Sequence, residues 1–145
     1  MNEPSTIREI LDNVQTIAVV GLTDREGRAS LGVSRFMQSQ GYRIIPVNPQ
    51  IESALGERAY PDLDAACAAM EAEGRKIDLV NVFRAPNFVP EIVKDVIRLK
   101  IPYLWLQEGV CHDVAVEWAE AAGAKVVQDH CILKARMAAG WRNRG

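Results

Sequence analysis

Short apolar runs alternate along this chain with longer segments in which apolar residues recur at helical spacing. The apolar runs are bounded by glycine, proline or polar residues, and their lengths are typical of strands that are buried on both faces. Five such runs predict five strands: Thr16–Val20, Arg43–Val47, residues 77–83, Tyr103–Leu106 and residues 124–127.

The segments between the runs predict helices, because their apolar residues fall on one face at intervals of three and four. Ser30 and Asn87 can cap two of these helices, and Thr6 with Glu9 matches a capping box. Gly41 is a typical helix stop. The six predicted helices are residues 6–13, a segment between Ser30 and Gly41, one opening at Pro61, one beginning after Asn87, residues 113–122 and residues 133–142.

Every connection between successive strands contains a helix, so neighbouring strands should run parallel and be joined by right-handed crossovers. We therefore expect an α/β fold, with a Rossmann-like, doubly wound, parallel five-stranded sheet and helices on both faces, in three layers α/β/α. Pro46 cannot donate to a ladder, so it should lie on an edge strand or near the end of its strand. Trp105 and Trp118 are predicted to pack in the core. No repeat or linker divides the chain, which predicts a single domain over residues 1–145.

The amino-acid composition limits the classes of molecule that a protein with this fold would bind. Apolar residues make up 48% and charged residues 25% of the chain, which is the balance of a soluble globular protein. The net charge of −2 and the pI near 5.7 argue against nucleic acid or an acidic membrane as a partner. No apolar run approaches the roughly 20 residues of a membrane span. The N-terminus lacks a secretory signal, so we expect a cytoplasmic protein. Cys67, Cys111 and Cys131 are widely spaced, which predicts reduced thiols and no metal site.

The unusual residues gather where the predicted strands end, and in an open parallel sheet ligands bind beyond those ends. The first strand is followed by Gly21 and by a hydroxyl- and charge-rich loop that leads into a helix. Backbone N–H groups and the dipole at such a helix start favour an anion. The other strand exits are Asn48-Pro49, Phe83-Arg84, Gln107-Glu108-Gly109 and Asp129-His130-Cys131. This combination of glycine, arginine, amide and aromatic groups suits a nucleotide with phosphates.

A dinucleotide is the first ligand to consider, and the sequence disfavours NAD. The fingerprint GxGxxG is absent, because Gly21 is followed by Thr23 and Asp24. The acidic residue that holds the ribose hydroxyls of NAD at the end of the second strand is also absent, and Asn48-Pro49 stands there instead. With arginines nearby, this favours a ribose that carries a phosphate. NADP satisfies the same criteria.

These residues resemble the motifs of the small stand-alone CoA-binding proteins, which are similar to the CoA-binding domain of the succinyl-CoA synthetase α subunit. The resemblance runs from about Thr16 to Ile132. Thr23 departs from the serine that is usual in the family, but the hydroxyl is kept. The matching motifs are Gly21-Leu22-Thr23, Arg28, Ser30, Val47-Asn48-Pro49, Phe83-Arg84, Trp105-Leu106-Gln107-x-Gly109-Val110 and Asp129-x-Cys131.

The resemblance implies that coenzyme A lies across the strand exits. Its diphosphate would lie on the loop 21–30, with charge from Arg25 or Arg28. Its adenosine end would lie near Asn48 and Arg84, and Gln107-Glu108-Gly109 would line the pantetheine side. The residues that would contact the cofactor are Gly21, Leu22, Thr23, Arg25, Arg28, Ser30, Val47, Asn48, Pro49, Phe83, Arg84, Gln107, Glu108, Gly109 and Cys131.

The activity that the resemblance implies is binding of CoA or an acyl-CoA, as a carrier, sensor or accessory module without catalysis of its own. His130 beside Cys131 suggests a nucleophile and a base, but adjacent residues at a strand exit point in opposite directions. No catalytic residue is therefore predicted. Two alternatives stay open: an NADP-binding oxidoreductase or redox sensor, and a subunit of an acyl-CoA ligase that works with a partner chain. The expected assembly is a monomer or homodimer.

Overall fold

The structure is a computed structural model in which residues 2–140 are described, and it consists of helices alternating with short strands. The strands are β1 Thr16–Val20, β2 Arg43–Val47, β3 Ser53–Ala54, β4 Glu57–Arg58, β5 Leu79–Val82, β6 Tyr103–Leu106 and β7 Lys125–Val127. The helices are α1 Pro4–Asn13, α2 Ala29–Ser39, α3 Leu63–Ala72, α4 Val89–Arg98, α5 Asp113–Ala121 and α6 Ile132–Ala138.

As predicted, five of the strands form one parallel sheet, and their order is β2-β1-β5-β6-β7. The first strand of the sheet is β1. The chain then forms β2 on one side of β1 and crosses to the other side of β1 to form β5. The strand order therefore reverses between β1 and β5, and their carboxyl ends open a crevice there. The strand β2 lies at an edge, which explains how the sheet accommodates Pro46.

Alternate residues of each strand face opposite layers, and this confirms the three-layer architecture. In β1, Ala18 and Val20 pack in a core that also contains buried residues of α3, α4 and α5. Ile17 and Val19 pack in a second core with residues of α1, α2 and α6. Trp105 lies in the second core and is fully buried, as predicted. The prediction for Trp118 is wrong, since this side chain is 42% exposed on α5.

The sequence did not predict the antiparallel hairpin of β3 and β4, which folds the segment after β2 back along the sheet edge. Two-residue strands carry no periodic signal, so the pattern of apolar residues could not reveal them. The Tyr60 amide donates to the Pro46 carbonyl, and the Asn48 amide donates to the Tyr60 carbonyl. The hairpin and these two bonds place the segment that follows Asn48 beside the end of β1.

Several predicted helix starts are wrong by a few residues. The helix α2 begins at Ala29 and its N-cap is Arg28, while the Ser30 hydroxyl binds a loop amide. The helix α3 is capped by Asp62, whose carboxylate accepts from the Ala65 amide, and it does not open at Pro61. Asn87 caps no helix, because it lies in a 3-10 turn before α4.

Both terminal helices also differ from their predicted bounds. The helix α1 starts at Pro4, so the predicted capping box does not form, and Glu9 instead binds Lys125 and Tyr103. The helix α6 covers Ile132–Ala138, whereas Arg142, the predicted end, lies outside the described residues. None of the helices in residues 2–140 is long and apolar enough to cross a bilayer.

Candidate functional site

A cavity of about 600 Å³ opens at the carboxyl ends of β1, β2 and β5. This is the edge of the sheet at which the sequence predicted a nucleotide. Seven of the predicted contact residues line this cavity, together with four that were not predicted. The lining residues are Gly21, Thr23, Asp24, Arg25, Arg28, Ala29, Ser30, Asn48, Gln50, Ile51 and Phe83.

Gly21 sits at the point where the strand order reverses. Its φ is +91°, and a Cβ atom added there would lie 2.6 Å from the Phe83 carbonyl oxygen and 3.1 Å from Cδ of Arg84. The Gly21 amide donates to the Val47 carbonyl at 2.9 Å, so the exits of three neighbouring strands converge on this residue. Only glycine combines this backbone conformation with such a close approach.

The loop after Gly21 is closed by its own hydroxyl groups. The Thr23 amide donates to Oγ of Ser30 at 3.2 Å, and the Arg25 amide donates to Oγ1 of Thr23 at 3.3 Å. The first amides of α2, those of Ala29 and Ser30, have no acceptor within residues 2–140. They lie at the positive end of an 11-residue helix and line the cavity. Together they form a site for an anion.

Asn48 joins the two loops that form opposite walls of the cavity. Its Nδ2 donates to the Leu22 carbonyl at 2.9 Å, and its Oδ1 accepts from the Gln50 amide at 2.8 Å. The turn brings Gln50 and Ile51 into the lining. No pattern of residues indicated these two positions, because their place in the cavity depends on the hairpin that follows. Asp24 and Ala29 lay inside the predicted loop but were not singled out.

The arginines near the cavity are not neutralised. Within residues 2–140, the side chains of Arg25, Arg28 and Arg84 form no ion pair with a carboxylate. The Cδ atom of Arg84 packs beside Gly21, and the Arg84 guanidinium lies 3.9 Å from the centroid of the Phe88 ring. Asp24 also lines the cavity. The local charge is positive and can attract a phosphate without first breaking an ion pair.

The remaining predicted contact residues do not line this cavity. Leu22 and Val47 are buried among the apolar residues of the two cores, and Pro49 is exposed in a turn. Cys131 is buried at the start of α6, and Arg84 lies at the cavity edge through its contact with Gly21. Leu22 and Val47 were predicted because they belong to the matching motifs, but their side chains are buried in the cores.

The exit of β6 is held by bonds to the segment after β7. Gln107 is 4% exposed, and its Oε1 accepts from the Ile132 amide at 3.1 Å. Glu108 pairs with Lys134 at 3.2 Å, and the Gly109 amide donates to Asp129 at 2.8 Å. These contacts place Gln107, Glu108 and Gly109 beside α6 rather than in the cavity lining.

His130 contacts Trp105 and does not interact with Cys131 through a hydrogen bond. The His130 carbonyl accepts from Nε1 of Trp105 at 2.7 Å, and the His130 ring lies 6.0 Å from the Trp105 ring. No hydrogen bond joins His130 to Cys131 in the part of the chain that the structure describes. Over the same residues, no cluster of three or more His, Cys, Asp and Glu could hold a metal ion. The groups that line the cavity, helix-start amides and arginines, are groups that bind anions.

Comparison with known proteins places this cavity in a family context. A family model described as "CoA binding domain" matches residues 15–137 of the chain. A curated relative, the uncharacterized protein YneT of Bacillus subtilis (strain 168), is 41% identical over 134 residues, which cover 91% of this chain and 94% of the relative. The match of the family model includes every residue that lines the cavity.

Solved structures share the architecture. A hypothetical protein from Pyrococcus horikoshii OT3 is 28% identical, with a TM-score of 0.83, and the match covers 94% of this chain and 91% of that protein. A dinucleotide-forming acetyl-coenzyme A synthetase of Ca. Korarchaeum cryptofilum has a TM-score of 0.68 at 19% identity. That match covers 83% of this chain but 27% of the synthetase, and it shows a common fold alone.

Proposed function

The chain belongs to the CoA-binding domain family, and from this premise we propose that it binds coenzyme A, or an acyl-CoA, in the cavity at the carboxyl ends of β1, β2 and β5. The observation that carries the proposal is the combination of free amides and unpaired arginines at the reversal of strand order. The proposed role of the protein is that of a carrier, sensor or accessory module, and no reaction is assigned to the protein.

The diphosphate of the cofactor is assigned to the loop 21–30. The amides of Ala29 and Ser30 supply hydrogen bonds at the helix start, and Arg25 and Arg28 supply positive charge. The Ser30 hydroxyl oxygen accepts from the Thr23 amide and holds the loop closed, and its O–H can still donate to a phosphate. These groups can bind a diphosphate without any rearrangement of an existing ion pair.

The adenosine end is assigned to the wall formed by Asn48, Ile51 and Phe83. Ile51 and Phe83 offer apolar surface to a base, and Asn48 stands where an NAD-binding domain carries an acid. An acid would repel a ribose phosphate, whereas Arg84 nearby attracts it. This assignment supports a ligand whose ribose is phosphorylated, and CoA and NADP both have one.

Thermal melts of the full chain with CoA, NADP, NAD or ATP test the proposal. A ligand present at about one hundred times its dissociation constant stabilises the folded state by roughly 2.7 kcal/mol, which raises the melting temperature by several degrees. We expect that rise with CoA and a smaller or absent rise with the other three nucleotides.

The control is the variant Arg98→Ala, because Arg98 pairs with Asp64 and Asp95, away from the cavity. It should retain the full CoA-induced rise. A clear rise with NADP and none with CoA would overturn the proposal and favour the oxidoreductase or redox-sensor alternative. A molecule that co-purifies with the protein, identified by mass spectrometry, would provide an independent answer.

A further inference from the structure

Two buried polar side chains beneath the cavity have no hydrogen-bond partner. Asn81, in the middle of β5, is 2% exposed, and Ser34, on α2, is 1% exposed. Neither Oδ1 of Asn81 nor Oγ of Ser34 has a partner within residues 2–140. Buried polar groups in native proteins are nearly always hydrogen-bonded, so two such groups near one cavity need an explanation.

Both side chains lie on the α2 side of the sheet. Asn81 is in register with Val19 on one neighbouring strand and with Trp105 on the other. Val19 and Trp105 belong to the core that α2 and α6 cover, and residues in register share a face of the sheet. Ser34 is buried on α2 itself. Both unpartnered groups therefore belong to the same layer.

Both also lie at the same depth below the cavity. Phe83 lines the cavity and follows Asn81 by two residues on the same face of the strand, a separation of about 6–7 Å. Ser30 lines the cavity and precedes Ser34 by one helical turn, a separation of about 6 Å. Each unpartnered group thus lies one step beneath a residue of the cavity lining.

We infer that Ser34 and Asn81 form an inner polar subsite, which receives the amide- and hydroxyl-bearing arm of the ligand. This inference rests on the proposed function, since the arm in question is the pantetheine of CoA. The amide of Asn81 and the hydroxyl of Ser34 can each donate and accept, which suits an arm that carries both kinds of group.

Phe83 and Gln107 lie between the cavity and the proposed subsite. Phe83 is partly buried above Asn81, and Gln107 lies beside Phe83 because Val82 and Leu106 are paired in the sheet. Gln107 is itself held by the Ile132 amide at the start of α6. The arm would pass between Phe83 and Gln107, and its entry requires the Phe83 side chain to move.

The test compares CoA with 3′-phosphoadenosine 5′-diphosphate, which carries the adenosine and all the phosphates of CoA but no arm. Calorimetric titration of the wild-type chain should show tighter binding of CoA. The variant Asn81→Leu should reduce CoA affinity about three- to tenfold and leave the affinity for the armless nucleotide unchanged. Ser34→Ala should have the same selective effect, and it provides a second test in case Asn81→Leu folds poorly.

Thr16→Val is the matched control, because it exchanges a buried polar residue for an apolar one at the opposite end of the sheet. It should change neither affinity. Equal binding of the two ligands by the wild-type chain, or an equal loss of both in the two variants, would overturn the inner subsite while CoA binding stands. If the wild-type chain binds neither ligand, the proposed function fails and the subsite with it.

Discussion

The two ends of the sheet carry similar residues in opposite states of pairing. At the amino end, a cavity of about 400 Å³ is lined by Gln15, Thr16, Glu73, Gly74, Arg75, Lys76 and Asp78. Beside it, Arg43 pairs with Glu57 at 3.0 Å and with Glu73 at 2.6 Å. Asp78 accepts from the amides of Gln15 and Thr16 at 3.0 and 2.9 Å. Charges and amides at this end largely satisfy each other.

Around the cavity at the carboxyl ends of β1, β2 and β5, the same kinds of group form no such pairs within residues 2–140. Arg25, Arg28 and Arg84 form no ion pair with any carboxylate of residues 2–140, and the first amides of α2 have no acceptor there. A phosphate gains charge-assisted hydrogen bonds at this end at little cost, whereas at the amino end it would compete with carboxylates. Pairing, rather than the number of arginines, distinguishes a binding site from a stabilising network.

The variant Gly21→Ala should have the largest effect, on both the free energy of unfolding and CoA binding. The added Cβ would lie 2.6 Å from the Phe83 carbonyl oxygen, and alanine is strained at a φ of +91°. Urea denaturation should show a loss of about 2–4 kcal/mol in the free energy of unfolding. CoA binding should be lost together with the crevice.

Gly27→Ala separates the two causes. The φ of Gly27 is +87°, but an added Cβ would meet nothing within 4 Å. This variant should lose only about 1–2 kcal/mol of unfolding free energy. Equal losses in the two variants would mean that the close approach of β1 and β5 contributes nothing.

Arg84→Ala should weaken CoA binding by about 1–3 kcal/mol. The Arg84 side chain contacts no carboxylate of the described residues and is therefore available to a phosphate. The fold should stay intact, and calorimetric titration measures the effect. An unchanged affinity would make Arg84 an ordinary surface residue.

Arg43→Ala is the corresponding change at the amino end. It removes pairs with Glu57 and Glu73, so the free energy of unfolding should fall by roughly 1 kcal/mol and the CoA affinity should not change. If this variant lost CoA affinity as Arg84→Ala does, the contrast between the two ends would be wrong.

The smallest effect is expected from acid, and at the amino end it should act through Glu73 and Glu9. Hydrogen bonds from Arg43 lower the pKa of Glu73, and those from Lys125 and Tyr103 lower the pKa of Glu9, both below the ordinary value of 4.5. A lowered pKa in the folded state stabilises the protein above pH 4.5, and this contribution is lost as pH falls through the folded pKa.

Thermal melts between about pH 6 and pH 3 measure this loss. Glu73→Gln should show a shallower fall of melting temperature with acid than the wild-type chain, because one of the shifted carboxyls is gone. An identical pH profile would show that the pair with Arg43 contributes nothing to stability.

The sequence predicted those parts of the fold that depend on burial. The five sheet strands are apolar because both faces are covered, and the edge position of β2 is one of the two that Pro46 allowed. The hairpin of β3 and β4 was missed, since its two-residue strands have no period. Trp118 was misplaced because helical spacing alone does not show which face of α5 meets the sheet.

In the cavity, residues at the strand exits were predictable, and residues that the hairpin positions were not. Gly21, Asn48 and Phe83 were found because strand exits meet at one edge, and all three line the cavity. Gln50 and Ile51 were missed because the hairpin positions them. The roles of the predicted contact residues in binding remain predictions until a ligand is measured.

The most direct test is a map of amide chemical-shift changes on addition of CoA to the ¹⁵N-labelled chain. We expect the largest changes at Gly21, Ala29, Ser30 and Phe83, and negligible changes at Thr16, Gly74 and Asp78. Changes that cluster at the amino end of the sheet, or no changes at saturating CoA, would contradict this expectation.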